Sequence, residues 1–442
     1  MRIDRRQIIA GAAAAGTALA AAPASAAGLD AAQLGVRANA EADQSAVLQR
    51  AIERAAAQRA PLALAPGVYR AGDVALPAGA HLVGARGATR IVLSRGAALF
   101  AARGTDAVTL SGLTLDGGGR RAEALVDLAA VRNLRIADCE FARAGTVALK
   151  LAEVQGTIAG NAVLDAGDVA IHSLDARGLV ISGNTVRGAG NAGIQVWRSQ
   201  KGDDGTLVAD NRIEDVAARD GGSGQNGNAV SVYRAGNVIV RGNRIRNAAF
   251  SAVRGNAASG LQVIGNSCAA IGEVALYAEF NFEGAVISGN IVDDAALGVA
   301  VTNFKEGGRL AVVQGNILRN ITRRRPAGTD PGDGYGIGIG VEADTAVTGN
   351  VIETAAVAGI AVGSGQYLRD VTVTGNVVRQ AGYGVMVSVA PGTGAAVVAN
   401  NRISGATRGA LVGMAWSKLV SADLARDAAQ FPQLSVGGNL VR

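Results

Sequence analysis

The chain has 442 residues, of which 49% are apolar and only 3% aromatic, with 62 glycines and a formal net charge of +6. A core with so few rings must be built from Ala, Val, Ile and Leu, which suits thin stacked layers. No basic run is interleaved with aromatic residues, so the composition argues against a nucleic-acid-binding protein. No stretch after the N-terminal segment is long and apolar enough to span a bilayer, so we expect no membrane-spanning segment.

Residues 1–26 are typical of an export signal. The segment "MRIDRRQIIAGAAAAGTALAAAPASAAG" has a basic start, a mild apolar stretch and a small-residue cleavage site, and we expect cleavage after Ala26. The pair Arg5-Arg6 resembles a twin-arginine signal, which predicts the Tat translocase as a partner and a periplasmic or secreted product. An ordinary Sec signal with two chance arginines is the alternative.

Residues 27–105 are predicted to form an N-terminal cap with a helix over 43–58 and the first strands. In "DQSAVLQRAIERAAAQ", Asp43 is the expected N-cap. One helical face is apolar and consists of Val47, Leu48, Ala51, Ile52 and Ala55. This face is suited to covering the open end of a stacked domain.

From residue 106 to 442 the sequence repeats. A Gly-Asn motif recurs at intervals of 23 to 38 residues, and its asparagines are Asn161, Asn184, Asn211, Asn243, Asn266, Asn290, Asn316, Asn350, Asn376, Asn401 and Asn439. Ile or Val stands three residues before every one, and an apolar residue stands two after it. Gly-Asn tolerates the left-handed backbone of a sharp corner, and a stacked asparagine amide can satisfy buried backbone groups there.

A third short strand with in-out alternation follows in each unit, as in "AGIQVW" and "NAVSVY". Three short strands per turn of about 24 residues predict an all-β, right-handed parallel β-helix of about 12 to 13 coils. Residues 421–431 are expected to form a short C-terminal cap helix. Cys139 occupies an asparagine slot and Cys268 an inward slot, so their separation of about five coils, roughly 24 Å, forbids a disulfide.

Several stretches carry a family resemblance. "DRRQII", "DQSAVLQRAIERA…PGVY" and "LSGLTLDGG", with the Gly-Asn coils, resemble the pectate-lyase-like right-handed β-helix superfamily. "GNAVSVYRAGNVIVRGNRI", "GEVALYAEF" and "RRRPAGTDPGDGYGIGIGVEADTAVTGN" are similar to an uncharacterised family of twin-arginine-translocated repetitive proteins. The resemblance implies fold and export but supplies no catalytic residues. The polygalacturonase Gly-His-Gly and the epimerase Asp-Pro-His motifs are both absent from the sequence.

The outward positions of the third strands form a candidate ligand-binding strip. Side chains at one index of neighbouring coils lie about 4.8 Å apart, so rings, basic groups and carboxylates separated by two dozen residues become neighbours. A lyase or epimerase needs a base and a cation for the substrate carboxylate, which points to Arg254, Tyr277, Glu279 and Tyr233 as the catalytic set. The predicted substrate-binding residues are His172, Gln195, Trp197, Arg234, Asn256, Asn281, Asn303 and Lys305. The insertions 215–227 and 319–334 flank this strip.

These observations leave three functional hypotheses open. The first is a polysaccharide-active enzyme, acting by elimination or epimerisation on uronate-containing chains, or a glycoside hydrolase. The second is a non-catalytic carbohydrate-binding or envelope-associated protein, so the expected partner is an acidic or neutral polysaccharide. The third, a cofactor-bearing exported enzyme, ranks last because no Cys/His cluster or cofactor motif is present. Metal dependence is left open, including Ca²⁺, which lyases of this superfamily use.

Overall fold

The fold is a parallel β-solenoid of about 14 turns. The computed structural model describes residues 28–222, 224–330 and 333–442. The predicted export signal, including Arg5, Arg6 and Ala26, therefore lies outside the described residues. Among the described residues, no helix has both the length and the apolar character needed to cross a membrane.

Three parallel ladders of strands build the solenoid. The first ladder precedes the Gly-Asn corner and is a 16-stranded sheet. Its strands are Leu29–Asp30, Leu62–Ala63, His81–Val83, Thr109–Ser111, Leu134–Ala137, Gly156–Ala159, Val180–Ser182, Leu207–Ala209, Ile239–Arg241, Leu261–Ile264, Glu283–Ser288, Arg309–Gln314, Ala343–Thr348, Arg369–Thr374, Ala396–Ala399 and Leu434–Gly437.

The second ladder follows the corner. Its separate strands are Gly67–Ala71, Thr89–Leu93, Thr114–Asp116, Glu140–Ala142, Ala162–Ala166, Thr185–Ala189, Arg212–Val216, Arg244–Ala248, Ile317–Ile321, Arg402–Ser404 and Leu440–Val441. The third ladder comprises Val74–Ala75, Phe100–Asp106, Ala124–Arg132, Val147–Ala152, Val169–Leu174, Ala192–Asp203, Asn228–Gly236, Val253–Asn256, Ile337–Val341, Gly409–Ala415 and the antiparallel Lys418–Ser421.

Four long strands run through both of these ladders and join them into one 26-stranded sheet. They are Ser267–Glu279, Ile291–Val301, Val351–Val362 and Val377–Ser388. Each of these four strands bends where the chain passes from the second ladder to the third. At this bend the fourth residue after the motif asparagine has positive φ, and in the four long strands these residues are Ala270, Asp294, Thr354 and Gln380.

The inward columns superpose as the repeat predicts. Ile181 pairs with Val208 and Val208 with Val240, so the position three before the asparagine forms one continuous column. The position two after it forms another, in which Cys268 pairs with Ile245 and Val292. A single hydrophobic cluster extends from Ala31 to Leu424 through these columns.

The Gly-Asn motif forms the corner between the first and second ladders. Gly183, Gly242 and Gly289 have φ near 65° just before their asparagines, and Asp210 takes the same conformation at 57°. In every motif asparagine before Asn439, Nδ2 donates both to the next asparagine's Oδ1 and to a carbonyl oxygen of the preceding coil, as Asn290 does to Asn316 and Val263. The motif is therefore scaffold: its amides form a buried ladder from Asn161 to Asn439.

The ends differ in detail from the sequence expectation. The cap helix spans Ser45–Ala57, and its N-cap is Gln44 rather than Asp43. Asp43 stands one residue earlier and accepts a hydrogen bond from the Ser45 backbone N–H at 3.0 Å, because its side chain reaches forward into the first turn. Leu48, Ala51, Ile52 and Ala55 are buried against the coils as expected.

Parallel stacking begins well before residue 106, within the segment predicted to hold the cap helix and the first strands. Leu29 pairs with Leu62, and Leu62 with Leu82, so residues 27–105 already contain several rungs of the first ladder. These early coils lack Gly-Asn corners, which is why the motif did not reveal them. The remaining short helices are the 3₁₀ turns Ala31–Leu34, Phe304–Glu306 and Ala428–Gln430, and the α-helix Leu424–Asp427 near the C-terminus.

Candidate functional site

The outward side chains of the third ladder form two columns at the registers expected from the sequence. The first contains Lys150, His172, Gln195, Ser231, Arg254, Tyr277 and Ala300 in consecutive rungs. The second contains Ala152, Leu174, Trp197, Tyr233, Asn256 and Glu279. Successive members are about 4.8 Å apart, so the solenoid lines these groups up along one face.

The two insertions cover parts of this face. Asp220 of the insertion 215–227 contacts Asn191, and Arg325 of the insertion 319–334 reaches Glu273. Although they point outward from the ladder, Gln195, Ser231 and Arg254 are only 4%, 5% and 7% exposed. The covered face contains two hollows, which we call the groove and the pocket.

The groove has a volume of about 740 Å³ and is lined by Glu123, Thr146, Val147, Lys150, Asp168, Val169, His172, Gln195, Trp197, Asp220, Gln225 and Asn226. Its floor is aromatic and polar. His172 Nδ1 is 2.7 Å from Gln195 Oε1, and the His172 and Trp197 rings meet edge to face with centroids 5.6 Å apart. Trp197 Nε1 donates to Ser231 Oγ at 3.1 Å, which holds the indole in place.

The imidazole of His172 is neutral at neutral pH. Burial lowers its pKa below the ordinary value of 6.5, and the nearby Lys150 lowers it further, against the opposing effects of Gln195 and Asp168. The contact with Gln195 Oε1 assigns the proton to Nδ1. The unprotonated Nε2 is then a hydrogen-bond acceptor or a base.

A buried ion cluster lies between the groove and the pocket, formed by Arg254, Glu273, Glu279 and Arg325. Arg254 donates to both oxygens of Glu279, through Nε at 2.6 Å and Nη2 at 3.0 Å, and its Nη1 is 3.3 Å from Glu273 Oε2. Arg325 Nη1 donates to Glu273 Oε1 at 2.9 Å. Burial raises the pKa of Glu273, and this outweighs the two guanidinium groups that lower it.

This geometry argues against the predicted catalytic roles of Arg254 and Glu279. The Arg254 side chain is 8% exposed and the Glu279 side chain 1%. The two side chains form a bidentate ion pair with each other. Asn256 also donates to Glu279, at 2.9 Å. All three nitrogens of the Arg254 guanidinium already contact carboxylates, so none is placed to bind a substrate carboxylate. The ion pair instead stabilises the ends of the two strands.

The pocket beyond this cluster has a volume of about 390 Å³. Tyr277 and Asn303 line it, together with Arg325, Asp333, Glu342 and the exposed ring of Trp416. Burial raises the pKa of Glu342, whose Oε2 accepts a hydrogen bond from Phe304 N at 2.8 Å. Burial also raises the pKa of Tyr277, whose ring lies 5.0 Å from the Arg254 guanidinium.

The remaining predicted residues lie outside both hollows. Tyr233 packs against Trp197 and beneath Arg234, whose guanidinium is 4.7 Å from the Tyr233 ring, so these two lie between groove and ion cluster. Asn281 and Lys305 belong to surface loops: the Asn281 carbonyl accepts from Lys201, and the Lys305 ammonium lies over Tyr367.

Sequence reasoning missed Asp168, Asp220, Glu273, Arg325 and Glu342. Asp168 could have been found, because it precedes its third strand at the same register as Asn191, which donates to it. Arg325 and Asp220 come from insertions, and the repeat has no register there to place them. Among the described residues, no group of three or more His, Cys, Asp or Glu is arranged to hold a metal ion.

Comparison with known proteins supports the architecture. A family model described as "Right handed beta helix region" matches residues 200–378. The chain is a right-handed parallel β-helix. No curated protein sequence matches it significantly.

Solved structures share this fold at low sequence identity. The catalytic unit of a GH87 α-1,3-glucanase from Streptomyces thermodiastaticus superposes with a TM-score of 0.52 at 14% identity, covering 94% of this chain and 69% of that one. The surface adhesin PfbA of Streptococcus pneumoniae has a TM-score of 0.49 at 16% identity, over 87% and 91% of the two chains. An Azotobacter vinelandii mannuronan C-5 epimerase A-module has 0.38 at 16%, over 93% and 99%. The likeness to the glucanase is one of fold.

Proposed function

We propose that the protein binds a polysaccharide along the outer face of its third ladder, with the groove as the main contact. The observation that carries this proposal is the groove floor, where Trp197, His172 and Gln195 combine rings with an amide. Sugars are recognised by aromatic rings that cover their apolar faces and by planar polar groups that bond their hydroxyls. The fold by itself would not support this function, because β-helices serve many purposes.

The length of the face also suits a chain-like ligand. His172 and Tyr277 lie four rungs apart, a distance of about 19 Å, so groove and pocket are two ends of one extended surface. Tyr233 and Arg234 lie between them and are partly exposed. A polymer of several sugar units fits this spacing better than a small molecule does.

The test is a titration of soluble polysaccharides followed by tryptophan fluorescence, since the chain has only 2 tryptophans. Trp197→Ala, measured by calorimetry because the variant lacks the reporting indole, should weaken binding by about tenfold, since the stacking surface in the groove is lost. Val286→Ala removes an exposed side chain from the first-ladder face and should leave the affinity unchanged. If no class of polysaccharide binds the wild-type protein, by fluorescence or by calorimetry, the proposal is wrong.

A second candidate is an enzyme that eliminates or epimerises uronate units, and the neutral His172 Nε2 favours it. In elimination this base takes the proton alpha to the carboxylate, the C–O bond beta to the carboxylate breaks, a C=C bond forms and the leaving oxygen takes a proton. In epimerisation a proton returns on the opposite face. Lys150, on the adjacent rung, is the cation nearest to this base, and it would have to exchange its pairing with Glu123 for the substrate carboxylate.

This candidate is tested by unsaturated-product absorbance, reducing ends and epimer content with uronate polymers. The acid limb of the pH profile should lie below 6.5, because the pKa of His172 is lowered and the base must be unprotonated. His172→Ala should abolish turnover while leaving the melting temperature within a few degrees. Binding without any product from any polymer would rule out the enzyme.

Export through the twin-arginine pathway is also proposed, on the sequence of residues 1–26. Replacing Arg5 and Arg6 by lysine should abolish export of the full chain to the periplasm or medium, measured by fractionation. The same substitution would leave export by the Sec route largely unaffected, so continued export would favour the ordinary signal.

A further inference from the structure

We infer that the groove selects a glycan that carries ammonium groups, that is, a polymer of hexosamine units without N-acetyl groups. This inference rests on the proposed function and names the ligand class for the same site. It runs against the expectation of a uronate ligand, and it comes from the charges and unpaired polar atoms that surround the groove.

The groove is acidic although the chain as a whole is basic. Three carboxylates line it, those of Glu123, Asp168 and Asp220, against the single ammonium of Lys150. Lys150 is already shared between Glu123 at 3.3 Å and Asp127 at 3.9 Å. A polyuronate in the groove would bring more negative charge to these carboxylates, whereas an ammonium-bearing chain would neutralise them.

Asp168 and Asp220 are held in place with free acceptor atoms. Asn191 Nδ2 donates to Asp168 Oδ1 at 2.9 Å and to Asp220 Oδ2 at 2.7 Å, which ties the insertion to the third ladder. Neither carboxylate has an ion-pair partner among the described residues, and the second oxygen of each accepts no hydrogen bond there. Two fixed carboxylates with free oxygens at the groove wall are suited to accepting from an ammonium group.

The groove floor supplies a second, independent indication of a ligand. Gln195 is only 4% exposed, yet its Nε2 has no hydrogen-bond partner within the described part of the chain, because only Oε1 is engaged, by His172. Nε2 lines the groove and remains within reach of solvent, so it is available to donate to a water or to a ligand. A sugar hydroxyl oxygen over the floor would satisfy it, next to an ammonium at the wall.

The experiment compares three oligosaccharides of equal length by isothermal calorimetry on the full chain: unacetylated glucosamine oligomers, their N-acetylated counterparts and oligogalacturonates. At low ionic strength the unacetylated oligomers should bind about tenfold more tightly than the N-acetylated ones, and the difference should shrink as salt is added. Oligogalacturonates should bind most weakly of the three.

Asp168→Asn and Asp220→Asn should each weaken binding of the unacetylated oligomer by about fivefold and leave the N-acetylated oligomer unchanged. Asp210→Asn is the matched control. It removes the same charge at an exposed Gly-Asn corner, where Asn400 shows that asparagine fits the left-handed backbone, and it should change neither affinity.

The two proposals fail in different ways. Equal binding of the acetylated and unacetylated oligomers, or tightest binding of oligogalacturonates, overturns the ammonium inference and leaves the glycan-binding proposal standing. Absence of binding by all three and by neutral polysaccharides overturns both. Binding of the unacetylated oligomer that persists undiminished in the double variant Asp168→Asn/Asp220→Asn also overturns the inference, because the charge would then act elsewhere.

Discussion

A single buried asparagine per coil replaces hydrogen bonds that the turning backbone cannot make. Asn290 is fully buried, and its Oδ1 accepts from both the backbone N–H and the Nδ2 of Asn266. Its own Nδ2 donates to Val263 O and to Asn316 Oδ1. The amide thus satisfies groups in two neighbouring coils, which no other side chain of that size can do.

Asn290→Ala should lower the free energy of unfolding by about 2 to 4 kcal/mol, because it leaves at least two buried polar groups unpaired. The measurement is denaturant unfolding. Asn439→Ala is the internal comparison: Asn439 is the last amide of the ladder and only half-buried, so water can replace its bonds. An equal loss in the two variants would contradict the ladder as the source of stability.

Asp204 is a buried carboxylate, and one of its two oxygens lacks a hydrogen-bond partner among the described residues. Its Oδ1 accepts from Thr206, but its Oδ2 has no hydrogen-bond partner among the described residues, and Arg198 Nη1 is 4.0 Å away. Burial raises its pKa, despite the hydrogen bonds of Thr206. The folded state therefore holds this proton more tightly than the unfolded state does.

Asp204→Asn should raise the free energy of unfolding at pH 7 by about 1 kcal/mol, because the amide is neutral. The gain should shrink as pH falls through the raised pKa of Asp204, since the wild-type carboxyl then becomes neutral in the folded state. Melting curves of both proteins across pH 4 to 8 provide the measurement. A gain that is constant with pH would show that charge burial is not its cause.

At the scale of elements, the insertion 319–334 contributes as much as the strands do to the charged cluster on the outward face of the third ladder. The strand Ser267–Glu279 supplies both Glu273 and Glu279, and Arg254 on the neighbouring strand joins them. Arg325 completes the cluster from the insertion and also donates to Gly334 O at 2.8 Å. This cluster fixes the path of the insertion and so shapes the pocket.

Glu279→Ala should destabilise the protein by about 3 to 5 kcal/mol, because it leaves the buried Arg254 without its bidentate partner. Glu283→Ala is the matched control. Glu283 forms an ion pair with Arg309 on the adjacent strand of the first ladder, and both of these side chains are exposed. It should cost no more than about 1 kcal/mol. Thermal unfolding distinguishes the two; similar small effects would mean that the cluster is not structurally important.

At the scale of the whole molecule, one core runs through every coil, so distant segments are connected only through their neighbours. The two cysteines lie in different coils of this stack. Both are free and buried, and burial raises the pKa of Cys139 to about 11 and that of Cys268 to about 12. Neither thiolate is appreciably populated at neutral pH.

We therefore expect no reaction of either thiol with a disulfide reagent in the native protein and reaction of both in denaturant, with no intramolecular disulfide in the native protein. Thiol titration with and without denaturant, followed by peptide mapping, is the measurement. Rapid native labelling of Cys268 would show that the central coils open far more readily than a continuous core allows.

The repeat in the sequence was sufficient to predict the fold, the two inward columns and the register of the outward ones. The reason is physical: identical aliphatic positions recur with one period, and a parallel ladder superposes residues separated by that period. The repeat alone therefore places His172 and Gln195 on neighbouring rungs, and the strand pairing confirms it. Before residue 106 the sequence predicted first strands but not their register, because the corners there lack the motif.

What the sequence alone determined is which residues share a column; what only the tertiary structure decided is which of them remain accessible. Arg254 and Glu279 were expected to face a ligand, but Arg325, far along the chain, helps to bury the cluster that they form. Asp168 and Asp220 meet at Asn191 only because an insertion folds back on the ladder. The paths of insertions and the burial of charges depend on contacts without sequence period, so the repeat carries no information about them.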